Sequence, residues 1–475
     1  MSAEAFDAVV IGSGSGGLTA AIGLARFGKR IALVERGPVG GDCTNTGCIP
    51  SKRLIHLTRR AGASADGASI LADVRATRDG LSDKERRELE NDPNITLIVG
   101  HAALAGTGQV MVRATDGERT ISAPHIIIAT GSRPRHVDIP GLPAERLLTN
   151  ETLFDLTSPP VHLAVVGAGA IGLEMAMAFR RLGSRVTMVD LADRVLPTAD
   201  PAASLVVHDS LGDMEIAVHL GARTRAYDAA DDRLTLETAG GDAHIADVDA
   251  VLVAVGRQPN IEDIGLERVG VTPDTEGIAV DGWGRTGANG IWAVGDVTPG
   301  SHTTHEANAL GRRIIQRIAL PWLPPIGSPP LIPSAVFTDP EVAWVGLTQA
   351  QIARRYHPSA ITRIIVSLAA TDRGLTDNVK RGFVCIDAIR LTGRILGATI
   401  VGPNASDLIA TLTLAMNRGI SLLRLSRQTY AYPTFAGAIG AAGDEFARAT
   451  LPHLRHEAGA YLRFRRRRPP SEGVL

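Results

Sequence analysis

The feature that most constrains the fold is a strand–turn–helix–strand unit that occurs twice, each time around a glycine-rich turn. In the first copy, the apolar run Ala8–Ile11 leads into a turn that starts at Gly12, and the unit ends at Glu35. In the second copy, an apolar run leads into a turn that starts at Gly167, and the unit ends at Asp190. The acid follows the first glycine at the same spacing in both copies. One such motif is weak evidence, but two with equal spacing strongly predict two dinucleotide-binding units.

Both turns have the composition that phosphate groups require. Backbone N–H groups at a helix N-terminus point at the phosphates, the helix dipole favours their negative charge, and glycine leaves room for close approach. Glu35 and Asp190 would each accept a hydrogen bond from a ribose hydroxyl, so two different dinucleotides are expected. The alternative is that the glycines only form tight turns. In that case the same pattern of strand, glycines, helix and acid would have to occur twice by chance. The positions expected to line the two phosphate sites are Gly12, Gly14, Gly17, Gly167, Gly169, Ile171 and Gly172.

Composition excludes several classes of function. The net charge is -1, from 49 basic and 50 acidic side chains, which argues against bulk attraction to nucleic acid or to an anionic membrane. No apolar run reaches the roughly 18 residues of a membrane span. No basic segment precedes the first apolar run, so no secretory signal is predicted and a cytoplasmic protein is expected.

Two cysteines, Cys43 and Cys48, lie five positions apart, just before a predicted helix at 51–61. In a regular helix their Cα atoms would be about 8.7 Å apart, whereas a disulfide needs roughly 4.4–6.8 Å. A bonded pair therefore requires a distorted turn, which Asn45 and Gly47 permit. A helix N-terminus also favours the thiolate form. The alternatives are a zinc site or two inert thiols, but zinc needs further ligands and Cys385 is the only other cysteine, so no metal site is predicted.

The segment from Gly41 to Lys52 resembles the redox-disulfide signature of the flavoprotein pyridine nucleotide-disulfide oxidoreductases. This family includes dihydrolipoamide dehydrogenase, glutathione reductase and mercuric reductase. The resemblance extends from about residue 5 to about residue 450. The other segments that match family motifs are 126–132, 251–260, 286–296 and 337–343.

The resemblance implies an α/β fold with two Rossmann-like dinucleotide-binding domains, one for FAD and one for NAD(P), and a C-terminal α+β dimerisation domain. It also implies a homodimer, because the C-terminal domain of one subunit completes the site of the other. The expected segments are 1–150 (FAD-binding domain, first part), 151–280 (NAD(P)-binding domain), 281–330 (FAD-binding domain, return segment), 331–455 (dimerisation domain) and 456–475 (a basic tail, expected to be flexible rather than a nucleic-acid or lipid contact).

The resemblance further implies that reduced nicotinamide passes a hydride to FAD, which then reduces a Cys43–Cys48 disulfide. Cys48 matches the flavin-proximal thiol and Cys43 the thiol that attacks the acceptor. Lys52 is expected near the flavin, ion-paired with Glu174, since a buried lysine without a partner would be costly. The further positions that match cofactor-binding residues of the family are Gly41, Thr130, Gly131, Ser132, Gly256, Arg257, Asp296 and His305.

The choice of nicotinamide cofactor depends on the residues after the second strand of the second unit. Relatives that use NADPH carry arginines there, whereas Asp190 and Leu196 occupy the matching positions. A carboxylate accepts a hydrogen bond from a 2′-hydroxyl and repels a 2′-phosphate. We therefore expect NAD(H) rather than NADP(H), although Arg185 and Arg194 lie nearby.

The sequence departs from the family pattern near the C-terminus. Disulfide-reducing members have a histidine before Pro-Thr and a glutamate five positions later, and here these positions hold Tyr432 and Gly437. A phenol cannot act as a base at neutral pH as an imidazole can, and losing a positioned base costs roughly 10²–10⁴-fold. Mercuric reductases also carry tyrosine there, but no cysteine pair follows Cys385 to deliver mercury. Tyr432 is therefore either catalytic or a packing aromatic.

The sequence thus predicts an FAD enzyme that oxidises NAD(P)H and reduces a small-molecule acceptor through the cysteine pair. The acceptor is left open between a thiol-bound metal ion, a disulfide or polysulfide, and a quinone. Two alternatives remain: a dihydrolipoamide dehydrogenase with altered proton transfer, and an FAD-binding redox sensor that turns over slowly. Cys385 is expected to be a buried core residue.

Overall fold

The structure is a computed structural model, and it describes residues 4–60, 66–115, 117–324, 329–453 and 458–459. The chain divides into two compact units, Met1–Leu191 with Gly221–Pro329, and Ala192–Leu220 with Pro330–Leu475. The five-segment division expected from the sequence stays a prediction. Most of the basic tail, 456–475, lies outside the described residues.

The described strands are two to twelve residues long. In chain order the strands are β1 (Glu4–Ala5), β2 (Ala8–Ile11), β3 (Ile31–Glu35), β4 (Ile95–Gly106), β5 (Gln109–Ala114), β6 (Gly117–Ser122), β7 (His125–Ile128), β8 (Ser132–Pro134), β9 (Leu147–Leu148), β10 (His162–Val166), β11 (Arg185–Asp190), β12 (Ala217–Leu220), β13 (Arg223–Asp228), β14 (Arg233–Thr238), β15 (Gly241–Ile245), β16 (Ala250–Val253), β17 (Arg257–Pro259), β18 (Ile291–Ala293), β19 (Ser334–Val336), β20 (Glu341–Gly346), β21 (Ile361–Ser367), β22 (Phe383–Ile389) and β23 (Ile395–Gly402).

The helices are of very different lengths, and the short α2 carries Cys43. They are α1 (Ser15–Arg26), α2 (Gly41–Asn45), α3 (Cys48–Arg60), α4 (Gly67–Glu90), α5 (Ala170–Arg181), α6 (Pro201–Asp213), α7 (Thr304–Ala319), α8 (Gln349–Arg355), α9 (Asp372–Thr376), α10 (Ala405–Asn417), α11 (Leu422–Leu425) and α12 (Gly437–Thr450). Short 3-10 turns lie at Ala144–Arg146, Leu153–Asp155, Leu266–Val269, Pro358–Ala360 and Leu451–His453.

The first glycine motif sits at the centre of a mixed sheet with the strand order β1-β6-β5-β4-β3-β2-β7-β18. Strands β2, β3, β7 and β18 pair in parallel, and their side chains are almost fully buried, as parallel strands covered on both faces require. Helices α1 and α7 pack on one face through an apolar cluster that includes Leu24 and Ile314. The carboxyl end of β2 therefore delivers the glycine turn to one edge of the sheet, where doubly wound folds bind their ligands.

The second glycine motif lies at the same place in a second parallel sheet. Strands β11, β10, β16 and β9 pair in that order, and β10 leads into the turn at Gly167. Helix α5 packs back on the sheet through buried residues such as Leu173 and Phe179. An antiparallel sheet of β13, β14 and β15 is appended to this unit. Both βαβ units expected from the sequence are therefore present.

The second unit contains an antiparallel sheet with the strand order β19-β20-β23-β22-β21. Helices α10 and α12 cover it, and the core between them includes Ile400, Ile409 and Phe446. This is the α+β domain that the sequence predicted. Cys385 is buried in β22, as expected, and burial raises the pKa of its thiol to about 12.

One helix boundary differs from the sequence-based prediction. The helix after the cysteine pair begins at Cys48 rather than at Ser51. Pro50 therefore lies in the first turn, where proline is tolerated because the N–H group that it lacks would have no helical partner. Among the described residues, no helix is both long and apolar enough to cross a lipid bilayer.

Candidate active site

The two glycine turns have the same backbone design. Gly12 and Gly167 have φ values of 103° and 113°, a left-handed conformation that favours glycine. Gly17 and Gly172 lie against the turn itself, because a Cβ atom would stand 2.0 Å from the Gly12 carbonyl oxygen and 1.9 Å from the Gly167 carbonyl oxygen, respectively. These four glycines are therefore required by the fold of the turn, whatever the turn binds.

Gly14 and Gly169 are different, because nothing in the protein requires glycine at either position. Each is the N-cap of its helix, with φ values of -68° and -79° that any residue adopts. A Cβ atom at either position would meet no atom within 4 Å. Open space beside free N–H groups at a helix N-terminus fits the close approach of a phosphate group. The residues present therefore fit a dinucleotide at each turn.

Each βαβ segment ends in an acidic residue, which forms hydrogen bonds with the glycine-rich turn of the same segment. Glu35 accepts hydrogen bonds from the Ser13 N–H and hydroxyl groups, both at 2.7 Å, and from the Gly37 N–H at 2.7 Å. Asp190 accepts a hydrogen bond from the Ala168 N–H. Both carboxylates are thus fixed beside the phosphate turn, in the position from which a ribose hydroxyl would be bound.

The two cysteines lie on either side of a helix break. Cys43 is in α2, which ends at Asn45, and Cys48 is the first residue of α3. Gly47 allows the two helices to approach, since a Cβ atom there would stand 2.8 Å from the Asp42 carbonyl oxygen. The Asn45 side chain donates to the carbonyl oxygens of Val39 and Gly41, at 3.0 Å and 2.9 Å. The distorted turn predicted from Asn45 and Gly47 is therefore present, and each thiol shifts the pKa of the other.

The environment of the pair makes Cys48 the more acidic thiol. The hydrogen bond from Cys43 lowers the pKa of Cys48 to about 6, and the Thr304 hydroxyl, 3.4 Å away, and the Lys52 ammonium act in the same direction. The same contact and burial raise the pKa of Cys43. One negative charge is therefore held on Cys48 at neutral pH while Cys43 stays protonated.

The predicted ion pair between Lys52 and Glu174 is present. Lys52 Nζ lies 2.8 Å from Glu174 Oε2, and the two side chains are 35% and 6% exposed. Lys52 is one turn after Cys48 on α3, and Glu174 is in the first turns of α5. This pair joins α3, which begins at Cys48, to the helix of the second glycine motif.

Arg257 connects the cysteine segment to the end of the second parallel sheet. Its side chain is 14% exposed, forms an ion pair with Asp42 and donates to the Ser132 hydroxyl at 2.7 Å. Ser132 in turn donates to Asp296 at 2.8 Å. Arg257 also donates to Asn150, which donates to the Thr46 carbonyl oxygen at the helix break. The network therefore holds the break in place through side-chain hydrogen bonds.

The remaining predicted cofactor residues lie around the same sheet edges. Thr130 donates to the Asn260 carbonyl oxygen at 2.7 Å, and Gly131 has a φ of 68° with open space beside it. Gly256 likewise has open space, and Ile171 is 39% exposed at the start of α5. His305 is exposed in the first turn of α7, next to the residue that contacts Cys48.

Tyr432 lies in the second unit and is 80% exposed. Its hydroxyl donates to Asp372 Oδ2 at 2.8 Å, and this contact raises the pKa of the phenol. Tyr432 is therefore a neutral hydrogen-bond donor, not a base, and within its own chain it is not a core aromatic. Gly437, at the position of the family glutamate, begins α12 with no atom within 4 Å of an added Cβ.

Sequence reasoning missed several residues that touch the site. Thr304 contacts Cys48, and Asp372 contacts Tyr432. Asp42 and Asn150 both contact Arg257. Only Asp42 carried a signal, because it stands inside the cysteine motif. The other contacts join positions more than 50 residues apart, so no local pattern could have identified them.

Family models match almost the whole described chain. The model of the pyridine nucleotide-disulphide oxidoreductases matches residues 6–311, and that of their dimerisation domain matches residues 332–442. The chain belongs to the pyridine nucleotide-disulphide oxidoreductase family. Dihydrolipoyl dehydrogenase 3 of Pseudomonas aeruginosa is 33% identical over 468 residues, covering 94% of this chain and 99% of that protein. Dihydrolipoyl dehydrogenase 2 of Haloarcula marismortui is 35% identical over 467 residues, covering 94% and 98%.

Solved structures of this oxidoreductase family share the fold. The HOCl-induced flavoprotein disulfide reductase RclA from Escherichia coli, solved as a Cu(II) complex, has a TM-score of 0.85 and 28% identity. That match covers 94% of this chain and 100% of that chain. LpdA from Mycobacterium tuberculosis has a TM-score of 0.82 and 29% identity, covering 92% and 99%. The family membership confirms the predicted fold class and the predicted type of enzyme.

The low pKa of Cys48 predicts a thiolate titration in the reduced protein. The ultraviolet thiolate absorbance should rise with a midpoint near pH 6, because Cys48 ionises there while the pKa values of Cys43 and Cys385 are raised. Below the midpoint the thiolate is lost by protonation. The Cys48→Ser variant should lack this step, whereas Cys385→Ser should retain it. A step that survives in Cys48→Ser would contradict the assignment.

The two kinds of glycine predict opposite defects in a matched pair of variants. Gly169→Ala should fold with unchanged thermal stability but raise the KM for the pyridine nucleotide by about tenfold or more, because its Cβ fills the open space beside the helix N-terminus. Gly172→Ala should lower stability by about 1–3 kcal/mol, because its Cβ overlaps the Gly167 carbonyl oxygen. Thermal denaturation and steady-state kinetics measure both. Equal defects in the two variants would contradict the distinction.

Proposed function

We propose that this protein takes electrons from reduced pyridine nucleotide through bound FAD to a Cys43–Cys48 disulfide, and that the resulting dithiol reduces a thiol-binding metal ion. The observation that carries the redox part is the helix break between Cys43 and Cys48 beside the Lys52–Glu174 pair, where each thiol shifts the pKa of the other. The observation that carries the acceptor is Tyr432, an exposed neutral phenol where a proton-shuttling histidine would stand.

The residues around each turn suit a different dinucleotide. The first turn, with Glu35, Gly41 and Asp296, would hold FAD, and the second, with Asp190, would hold the pyridine nucleotide. When bound, the flavin supplies two-electron transfer between a nicotinamide and a disulfide. The Lys52–Glu174 pair, half-buried at the lysine and buried at the glutamate, supplies fixed charge, because Lys52 lowers the pKa of Cys48 and Glu174 raises it. The protein thus holds a single thiolate at a set position.

NAD(H) is the pyridine nucleotide that the second turn favours. Asp190 ends β11 beside the turn, whereas Arg185 begins the same strand. Five residues of extended chain separate them by about 16 Å, so Arg185 is too far away to bind a 2′-phosphate at Asp190. Arg185 also pairs with Asp247 at 3.2 Å. A carboxylate at the end of this strand favours a 2′-hydroxyl over a 2′-phosphate, and Arg194 donates to the Pro197 carbonyl oxygen at 2.7 Å.

The reduction of a metal ion balances without a base at position 432. The Cys43 thiol and the Cys48 thiolate lose two electrons and one proton as the sulfur–sulfur bond forms, and two Cu(II) ions become two Cu(I) ions. The proton leaves to solvent, and no leaving thiolate has to be protonated. The Cu(II) complex of the related RclA supports copper as the first ion to test. The cytoplasm, where NADH is available, is the expected compartment.

A dihydrolipoyl dehydrogenase is the second candidate, favoured by relatives of that name at 33% and 35% identity. Exchange with dihydrolipoamide, however, needs a group that accepts and returns a thiol proton. The contact with Asp372 raises the pKa of the Tyr432 phenol, which makes the phenol a poorer proton donor at neutral pH. This chain is therefore better suited to an acceptor that does not exchange protons.

The copper proposal predicts NADH-dependent reduction of Cu(II) that requires Cys43. In Cys43→Ser the rate should fall to the background of slow oxidase activity, roughly a hundredfold or more below the parent, because the attacking sulfur is gone. Trapping Cu(I) with a chelating dye under anaerobic conditions gives the rate. Cys385→Ser is the matched control and should keep full activity, since that thiol is buried in β22. Undiminished copper reduction by Cys43→Ser would contradict the proposal.

Restoring the family pair predicts a gain of disulfide exchange. Tyr432→His with Gly437→Glu should raise lipoamide reduction by NADH at neutral pH by roughly 10²-fold or more, because the imidazole supplies the missing proton shuttle. The glutamate has open space at the start of α12. Tyr432→Phe with Gly437→Glu is the control and should gain nothing. High lipoamide turnover by the parent protein would favour the second candidate instead.

A further inference from the structure

A hydroxyl group from outside the two glycine motifs and the cysteine motif lies next to Cys48. Thr304 Oγ1 is 3.4 Å from Cys48 Sγ, and the two residues are 256 positions apart in the sequence. The Thr304 hydroxyl lowers the pKa of Cys43 as well as that of Cys48. Thr304 therefore contacts Cys48 directly and acts on the charge of both sulfurs.

The backbone aims this hydroxyl at the sulfurs. Thr304 is the first residue of α7, a helix of 16 residues, and Cys48 is the first residue of α3, a helix of 13 residues. Two helix N-termini thus meet at one sulfur, and both helix dipoles favour negative charge there. A hydroxyl at this point adds a directional donor, which dipoles alone do not provide.

We propose that Thr304 is a catalytic hydrogen-bond donor shared by the two sulfurs, which stabilises the thiolate on Cys48 in the reduced pair and on Cys43 when Cys43 attacks an acceptor. The proposal rests on the proposed function only in taking Cys43 and Cys48 as the redox pair. It does not depend on the identity of the acceptor.

The exchange of charge between the sulfurs balances within the pair. When Cys43 becomes the attacking thiolate, its proton passes to Cys48 and the negative charge moves the other way. Thr304 keeps its own proton and turns its O–H bond from one sulfur to the other. The hydroxyl thus follows the charge without gaining or losing a proton, which lowers the energy of both thiolate states.

The test compares Thr304→Val with the parent in reduced holoenzyme. Valine has the same branched shape but no hydroxyl, and Thr304→Ala serves where valine crowds the site. The expected result is a Cys48 thiolate midpoint about one to two pH units higher, since a hydrogen bond to a charged group contributes that much to an ionisation. Thr304→Ser should restore the parent midpoint. A midpoint that is unchanged in both Thr304→Val and Thr304→Ala overturns the proposal.

The matched control is Thr303→Val, the neighbouring threonine at the N-cap of the same helix. Its hydroxyl contacts Ser301 and His305, both at 3.2 Å, rather than a sulfur. The midpoint should therefore stay where it is in the parent. A rise of equal size in Thr303→Val would show a general disturbance of the helix end and would also overturn the proposal.

The shared donor makes a second claim, which single-cysteine backgrounds test. Thr304→Val should raise the thiolate midpoint of Cys48 in Cys43→Ser and that of Cys43 in Cys48→Ser. In the intact pair the disulfide reduction potential should become more negative, by about 20–30 mV for a fivefold to tenfold change in the two-electron equilibrium. An unchanged midpoint for either cysteine overturns the shared role. These readouts need no turnover, so they fail independently of the copper assay.

Discussion

The structure depends on the break between α2 and α3, where the chain leaves the helical path for two residues. A continuous helix would keep sulfurs five positions apart too distant to form a disulfide, whereas the break lets the thiols of Cys43 and Cys48 approach closely enough to shift each other's pKa. Gly47 removes the side chain that would keep the two helices apart. Asn150 and Arg257 then hold the segment from outside, so the reactive geometry is fixed before any substrate binds.

A second constraint is that a single negative charge has to be stable in this place. Thiols with nearly equal pKa values would share the charge, and neither would be reliably the thiolate. The protein separates them through the hydrogen bond from Cys43 and through the Lys52 ammonium, both of which lower the pKa of Cys48. Glu174 neutralises the lysine, so the site holds its charge without a buried, unpaired cation.

The sequence predicted the parts of the protein that are locally encoded. Each βαβ unit was predicted from the glycines and the acid of one short segment. The break was predicted from Asn45 and Gly47. The start of α3 was predicted three residues late, because Pro50 looks like a boundary but fits inside a first helical turn. Thr304 and Asp372 could not be predicted, since only the folded chain brings them to Cys48 and Tyr432. The sequence showed that tyrosine stands at position 432 in place of the family histidine. It did not show that Asp372 accepts a hydrogen bond from this tyrosine.

The most direct test of the account is an anaerobic titration of the purified holoenzyme with NADH, followed by absorbance. A functional Cys43–Cys48 pair predicts that each subunit takes up twice as many electrons as a flavin alone can accept. The Cys43→Ser variant should take up only as many electrons as its flavin accepts. If the parent protein also took up only as many electrons as its flavin accepts, the cysteine pair would not be in the electron path and the central claim would be wrong.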